Sequence, residues 1–272
     1  MKKNHWKAWA LALAAGVLAG CGTQGQPAPA PGAAPPAQAS AQCRIVDGAD
    51  TGELLLASQG DNGEIYWLDV SSLPVTLDGG QADRSALRDG MLVTVWYDGS
   101  VQETWPAGFS GASRLEAFTQ GVDDRCGLVL QVFEHLWNKD EALNEGIQYA
   151  GVNISAQILP CAAERAAVAW RFAQLHGLTP VQGDWEELCE QGYVDEEEWR
   201  WPDGCMFSIQ EHTDIYNDNG EESYPQASAG AVLRFDAQKW RSALGAYMFS
   251  DCTAEQREDG GWSYQVGGEA IS

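Results

Sequence analysis

Nucleophilic hydrolysis needs a Ser or Cys beside a His that an acid orients. The nearest string to a nucleophile elbow is Gly108-Phe109-Ser110-Gly111-Ala112. It lacks the final Gly of G-x-S-x-G, and it falls in a β region with no helix behind it, so it reads as a turn. His135 and His176 fall in expected helices and His212 just after an expected strand; each reads as a surface or internally satisfied His. Glycoside hydrolysis needs two carboxylates facing across a cleft. With 39 Asp plus Glu in the chain, suitable pairs are unavoidable and their presence is not evidence. Asp195-Glu196-Glu197-Glu198 beside Trp199 and Trp201 has the composition of a sugar or partner platform. Trp199, Trp201, Glu197 and Glu198 are therefore the candidate interaction surface, set against the plainer reading of a solvated turn with buried Trp.

Metal and cofactor chemistry finds no motif. In Asp214 to Glu222, aligning Gly220 with the invariant Gly of a calcium loop puts Ile215 at the first ligand position and Gln226 at the last. Both fail, which excludes an EF-hand and leaves a looser cation site or a hairpin tip at Asn219-Gly220. No G-x-G-x-x-G and no P-loop occurs. Catalytic, cofactor and metal residues are accordingly none.

The thiol with a chemical role is Cys21. Lys2, Lys3 and Lys7 precede Ala8 to Gly20, a short apolar or small-residue stretch. This is the secretory pattern, too short to cross a bilayer, which takes roughly 20 residues. Leu18-Ala19-Gly20-Cys21 resembles the lipobox of bacterial lipoproteins. The resemblance implies cleavage after residue 20, lipidation of Cys21, and a place on the extracytoplasmic face of a bacterial membrane. Residues 21–42 are rich in Pro, Ala, Gln and Gly and carry no charge or bulky apolar residue, so they are expected as a disordered linker. Six further cysteines remain: Cys43, Cys126, Cys161, Cys189, Cys205 and Cys252. An even count permits three disulfides, in any of about fifteen pairings, or free buried thiols. No CxxC or Cys-His cluster supports zinc.

The elements fall into two regions. Residues 43–122 read as a small β domain, with runs at Cys43–Val46, Glu53–Ala57, Glu64–Val70, Leu92–Tyr97 and Ser113–Phe118 between Gly- and Asp-rich turns. Asp98-Gly99 is a strong hairpin signal. Residues 123–272 read as α+β, helices first and then an antiparallel sheet. Helices are expected from Cys126 to Lys139 behind the cap Asp123-Asp124, from Cys161 to His176 with Pro160 as first residue, and from Asp184 to Gly192. Strands follow at Cys205–Gln210, Ala231–Phe235, Ala243–Cys252 and Trp262–Gly267.

The run Leu87-Arg88-Asp89-Gly90-Met91-Leu92-Val93-Thr94-Val95-Trp96-Tyr97-Asp98-Gly99-Ser100-Val101-Gln102-Glu103-Thr104-Trp105-Pro106-Ala107 resembles the YobA-like domain of small lipoproteins. The resemblance implies an OB-like antiparallel β-barrel in the envelope and no reaction. Trp105 stands where that family has Tyr.

Charge narrows the partners. The chain holds 16 Lys plus Arg against 39 Asp plus Glu, and removing the three leader lysines leaves a formal charge of −26. Such a field repels nucleic acid and suits a basic protein, a small ligand or plain solubility. The expected function is a non-enzymatic ligand- or partner-binding module held to a membrane by its lipid. The alternatives are a surface hydrolase of glycan or peptide using carboxylates, and a structural spacer or inhibitor.

Overall fold

The run Leu54-Leu55-Leu56-Ala57 contains no polar residue, and all four side chains are fully buried. A strand with that pattern must be covered on both faces, and this requirement sets the architecture. The computed structural model describes residues 38–60, 63–212 and 231–272. The leader, the lipidation site Cys21, most of the linker, and the stretch from Asp214 to Glu222 lie outside the described residues.

The first sheet contains β1 (Ala39–Asp47), β2 (Glu53–Ser58), β3 (Ile65–Asp69), β4 (Val75–Leu77), β5 (Gly80–Ala82), β6 (Leu92–Tyr97), β7 (Val101–Gln102), β8 (Ala107–Phe109) and β9 (Arg114–Phe118). Its order is β5-β4-β9-β6-β1-β2-β3-β8-β7. The terminal strands β5 and β7 do not pair with each other, so this is an open sheet rather than a closed barrel. The pairing is also mixed, since β3–β8 and β4–β9 are parallel. Leu54 and Leu56 point into the concave side with Cys43, Ile45, Tyr66 and Val93. Leu55, Ala57 and Ile65 point outward, as the two-residue period of a strand requires.

What covers the outer face is helical. The chain continues through α1 (Arg125–Trp137), β10 (Tyr149–Ile154), α2 (Ala162–Leu175), β11 (Thr179–Gln182), α3 (Trp185–Glu190), β12 (Gly204–Glu211), β13 (Val232–Ser242), β14 (Gly245–Gln256), β15 (Trp262–Gln265) and β16 (Gly268–Ile271). The second sheet runs β11-β10-β12-β13-β14-β15, with β16 also on β14. α2 packs on β1, β2 and β3 with one side and on β10, β11 and α1 with the other. Six of its fourteen residues are Ala, which favours helix and lets the backbone lie close to both sheets. The fold is thus α+β, in which α1 and α2 form the layer between two sheets. No helix among the described residues is long and apolar enough to cross a membrane.

Four sequence expectations change. Ala39 to Gln42, expected as the end of the linker, extends β1 and pairs with β6 from Tyr97 to Thr94; small and polar residues suffice there because β6 supplies an open backbone edge. Asp98-Gly99 turns the chain, but β7 pairs with β8 instead of folding back on β6. Both sides of β6 are already occupied by β1 and β9. The second sheet is not wholly antiparallel: β10 lies parallel to β11 and to β12, because helical crossovers connect these strands. Pro160 also precedes the cap of α2, which is Cys161.

The change from strands to helices falls at Val122, as the sequence suggests, yet the apolar core continues across it. One buried cluster joins Leu55, Ala57 and Ile65 to α1, α2 and Phe207. The junction is also hydrogen-bonded on both sides. Asp123 N–H donates to Gly90 O at 3.1 Å and Asp124 N–H to Gly260 O at 3.0 Å. Trp262 Nε1 donates to Asp123 Oδ1 at 2.9 Å. A buried pair between layers, Arg44 Nε to Glu164 Oε1 at 2.8 Å, is completed by Gln59 Nε2 donating to the same oxygen at 3.0 Å. By contacts, Ala37–Ser272 is one compact unit.

Asp124 caps α1 by accepting the Gly127 N–H at 3.0 Å. Burial, with Asp89, Asp123 and Asp47 nearby, pushes its carboxyl up to about 7. The folded state then holds this proton more tightly than the unfolded chain. The contribution of Asp124 to stability is therefore fully present below about pH 4 and is lost as pH rises through 7. Asp124→Asn keeps a good cap acceptor and removes the cost of ionisation. We expect the variant to be roughly 2 kcal/mol more stable than the parent at about pH 8 and equal to it near pH 4, read by urea unfolding at both pH values.

Candidate binding cleft

Alternation along β3 sends Tyr66 and Leu68 inward and Ile65 and Trp67 toward the helices. α2 presents Trp170 to the same space. The two indoles are half-buried, with ring centroids 5.8 Å apart and planes at 58°. Each rests against the shared core, and both line a cleft of about 600 Å³. Large aromatic surface beside a few polar groups is the usual make-up of a ligand site. Neither indole N–H has a partner among the described residues.

The rest of the lining comes from the β7–β8 hairpin and from the segment after β3. Phe109 and Pro106 extend the apolar wall. Gln102 lies over Gly108, where a Cβ would sit 3.0 Å from its Oε1; the missing side chain leaves the amide room at the cleft edge. Thr104 Oγ1 donates to Pro106 O at 2.8 Å, which holds the hairpin tip. Asp69 Oδ1 accepts the Ser71 N–H at 2.8 Å. That bond holds the Asp69 carboxyl below the usual carboxylate range, so it is a fixed anion and a poor proton donor.

The nominated surface residues separate. Trp201 is fully buried, packed among Val181, Leu188, Val194 and Met206 on the far face of the second sheet. It therefore belongs to the core and not to a surface. Trp199 is 55% exposed and leans on Trp185 with centroids 5.0 Å apart. Glu197 and Glu198 are exposed beside it. Residues two apart in a regular strand share a face; the left-handed φ of +49° at Trp199 breaks that regularity and accounts for the split.

Each His among the described residues has a neighbour that occupies it. His135 Nδ1 lies 2.9 Å from Tyr264 Oη. His176 Nε2 lies 2.8 Å from Glu134 Oε1 and stacks on Trp137 at 3.7 Å. His212 Nδ1 lies 2.9 Å from the Asp236 carboxylate, which also accepts the Asp251 N–H at 2.8 Å. Ser110 sits where Gly111, at φ +57°, bends the chain from β8 into β9, and not at a strand-to-helix elbow. The six described cysteines are free. Burial pushes the Cys43 and Cys205 thiols up to about 12, so they act as small apolar residues. Among the described residues no group of three or more His, Cys, Asp or Glu is arranged to hold a metal ion.

Sequence reasoning missed the cleft. Trp67 and Trp170 are 103 positions apart, and no local pattern links them. Comparison of the chain with protein-family models, with curated proteins and with solved structures gives no match.

Proposed function

We propose that this protein is a lipid-anchored envelope module that binds a neutral or cationic ligand in the Trp67–Trp170 cleft and performs no chemistry on it. The observation that carries this reading is the pair of indoles, each supported by the core on one side and open to the cleft on the other. Such rings stack on the apolar face of a sugar or on the side chains of an extended peptide, while Gln102, Ser72 and the free indole N–H groups offer hydrogen bonds. Asp69, the one carboxylate lining this cleft among the described residues, is held ionised. Glycoside hydrolysis calls for a second carboxyl able to give a proton, so the cleft favours binding over the hydrolase alternative. A formal charge of −26 disfavours phosphorylated ligands.

The finer reading of the first sheet as OB-like, of the YobA-like kind but open between β5 and β7, belongs to this proposal. Its support is that β8 continues through Ser110–Ser113 into β9, so one bent segment pairs with β3 at one end and with β6 at the other. The lipid anchor rests on Leu18-Ala19-Gly20-Cys21.

Titration of the chain with N-acetylated oligosaccharides and short neutral peptides, followed by Trp fluorescence, tests the site. A ligand found this way should bind about tenfold more weakly to Trp67→Ala and to Trp170→Ala, with unfolding still cooperative. Equal binding by both variants would remove the cleft from the account. Cys21→Ala should shift the protein from the membrane to the soluble fraction, and persistent membrane association would remove the anchor.

A further inference from the structure

A second surface, independent of the cleft, lies on the opposite face of the second sheet. Between Asp184 and Arg200 the chain carries eight Asp or Glu and one base, Arg200. Most of this density is exposed, and Arg200 reaches only Glu198, at 4.0 Å. In the midst of it stands Trp199, 55% exposed, supported from below by Trp185. The backbone around the ring is pinned. Asp195 and Arg200 exchange N–H···O bonds at 2.9 and 3.1 Å, Trp201 N–H donates to Arg241 O at 2.8 Å, and Ala243 N–H donates to Trp199 O at 2.9 Å. The residue after Ala243 is Leu244, at 88% the most exposed of the large apolar side chains among the described residues. Half-buried Cys189 lies close to the same rim, and after burial itself the charges of Glu196, Asp195 and Glu186 raise its thiol pKa. Trp199 adopts φ +49°, a left-handed conformation that costs a bulky residue about 1–2 kcal/mol. The fold therefore spends free energy to hold an aromatic ring outward, in fixed geometry, inside an anionic rim.

We propose that Trp199, with Leu244 beside it, is the docking site for a Lys- or Arg-rich amphipathic segment of a partner protein. Charge complementarity selects this occupant. A second copy of this chain brings its own strong negative charge, and anionic lipid headgroups meet the same repulsion. A cationic segment gains Coulomb attraction from the rim, places a cation over an indole face, and sets an apolar residue against Leu244. Trp at the centre of a charged rim is also the arrangement of an interface hot spot.

The test uses the full chain and a dye-labelled amphipathic helical peptide with Leu at i, i+3, i+4 and i+7 and Lys on the other face, read by fluorescence anisotropy. We expect micromolar binding at low salt, weakened about tenfold or more in 0.3 M salt. Trp199→Ala should weaken it about tenfold or more, as should Glu197→Lys combined with Glu198→Lys. Leu244→Asp, at a fully exposed hairpin tip, is the second variant, and it should weaken the peptide while leaving the thermal melt unchanged. Trp67→Ala should bind the peptide normally, which separates this surface from the cleft. Binding of the peptide at parental strength by both Trp199→Ala and Leu244→Asp overturns the proposal. So does self-association, or flotation on phosphatidylglycerol vesicles, that is lost with Trp199.

Discussion

Gly204→Ala should destabilise the protein by about 3 kcal/mol or more, although replacing a strand Gly by Ala at an ordinary φ usually stabilises slightly. The reason is Trp201. A Cβ built on Gly204 falls 2.0 Å from Trp201 Cε2, and one on Gly151 falls 2.5 Å from Trp201 Cζ3. The indole therefore lies flat across β10 and β12 at the two positions that lack side chains. It has nowhere to retreat, because Leu188 and Met206 surround it and its own N–H is fixed to Arg241 O at 2.8 Å. Its indole Nε1 is buried with no acceptor, so the residue stabilises through packing alone. Contacts near 2 Å lie far inside van der Waals separation, and close-packed interiors yield little. Gly151→Ala should cost less, since its contacts are longer. The diagnostic measurement is a double-mutant cycle in urea. Trp201→Leu creates a cavity in the parent but relieves the clash in Gly204→Ala, so the two changes should combine with at least about 1 kcal/mol less loss than their sum. Strict additivity would mean that the ring does not rest on these glycines.

The same residues show what could be read from the sequence and what could not. β2, β3, β6 and β9 were legible because apolar runs between Gly- and Asp-rich turns are a local signal. α1 and α2 were legible because their start signals, Asp123-Asp124 and Pro160, stand within two residues of the helices they open. Pairing was not legible. The Asp98-Gly99 hairpin failed because occupancy of both edges of β6 is a property of β1 and β9, distant in sequence. The parallel strands β10, β11 and β12 became a sheet through crossovers that no local pattern announces. Trp201 looked like surface because its neighbours are acidic, yet Trp199 and Arg200 are exposed and Trp201 is fully buried. Gly151 and Gly204, 53 residues apart, make sense only once the indole that spans them is in view. The Trp67–Trp170 cleft is of the same kind: each Trp was visible, and their meeting was not.

Lys239→Met should lower stability by about 2 kcal/mol and the melting temperature by roughly 6 °C for a unit of this size. Lys239 lies on β13 and is fully buried. Its Nζ donates to Lys139 O at 2.8 Å, Asp140 O at 3.2 Å, Trp137 O at 3.3 Å and Leu136 O at 3.4 Å. Leu136 O and Trp137 O close α1, whose last carbonyls lack helical amides, and Lys139 O and Asp140 O follow it. Leu136 O also accepts the Lys139 N–H, Asp140 O the Leu143 N–H and Trp137 O the Asn144 side-chain amide, which leaves Lys139 O as the carbonyl that depends on Lys239 among the described residues. The negative end of the helix dipole points at the ammonium. Replacing a buried charge by an apolar residue is often harmless when its partner is replaced as well. Here the partners are backbone, so they remain whatever stands at position 239. Met matches Lys in length and fits the apolar surroundings of Trp137, so the substitution isolates the loss of the donors from any loss of packing. Burial lowers the Lys239 pKa below that of an exposed lysine. The parent should therefore gain stability as pH rises from that lowered value toward about 10.5, as the unfolded chain comes to bind the extra proton, and Lys239→Met should lack this alkaline gain. Denaturant unfolding of both proteins at neutral and alkaline pH measures both effects. A loss under about 1 kcal/mol at neutral pH would mean that the amides already at Leu136 O, Trp137 O and Asp140 O suffice and that β13 does not secure the end of α1.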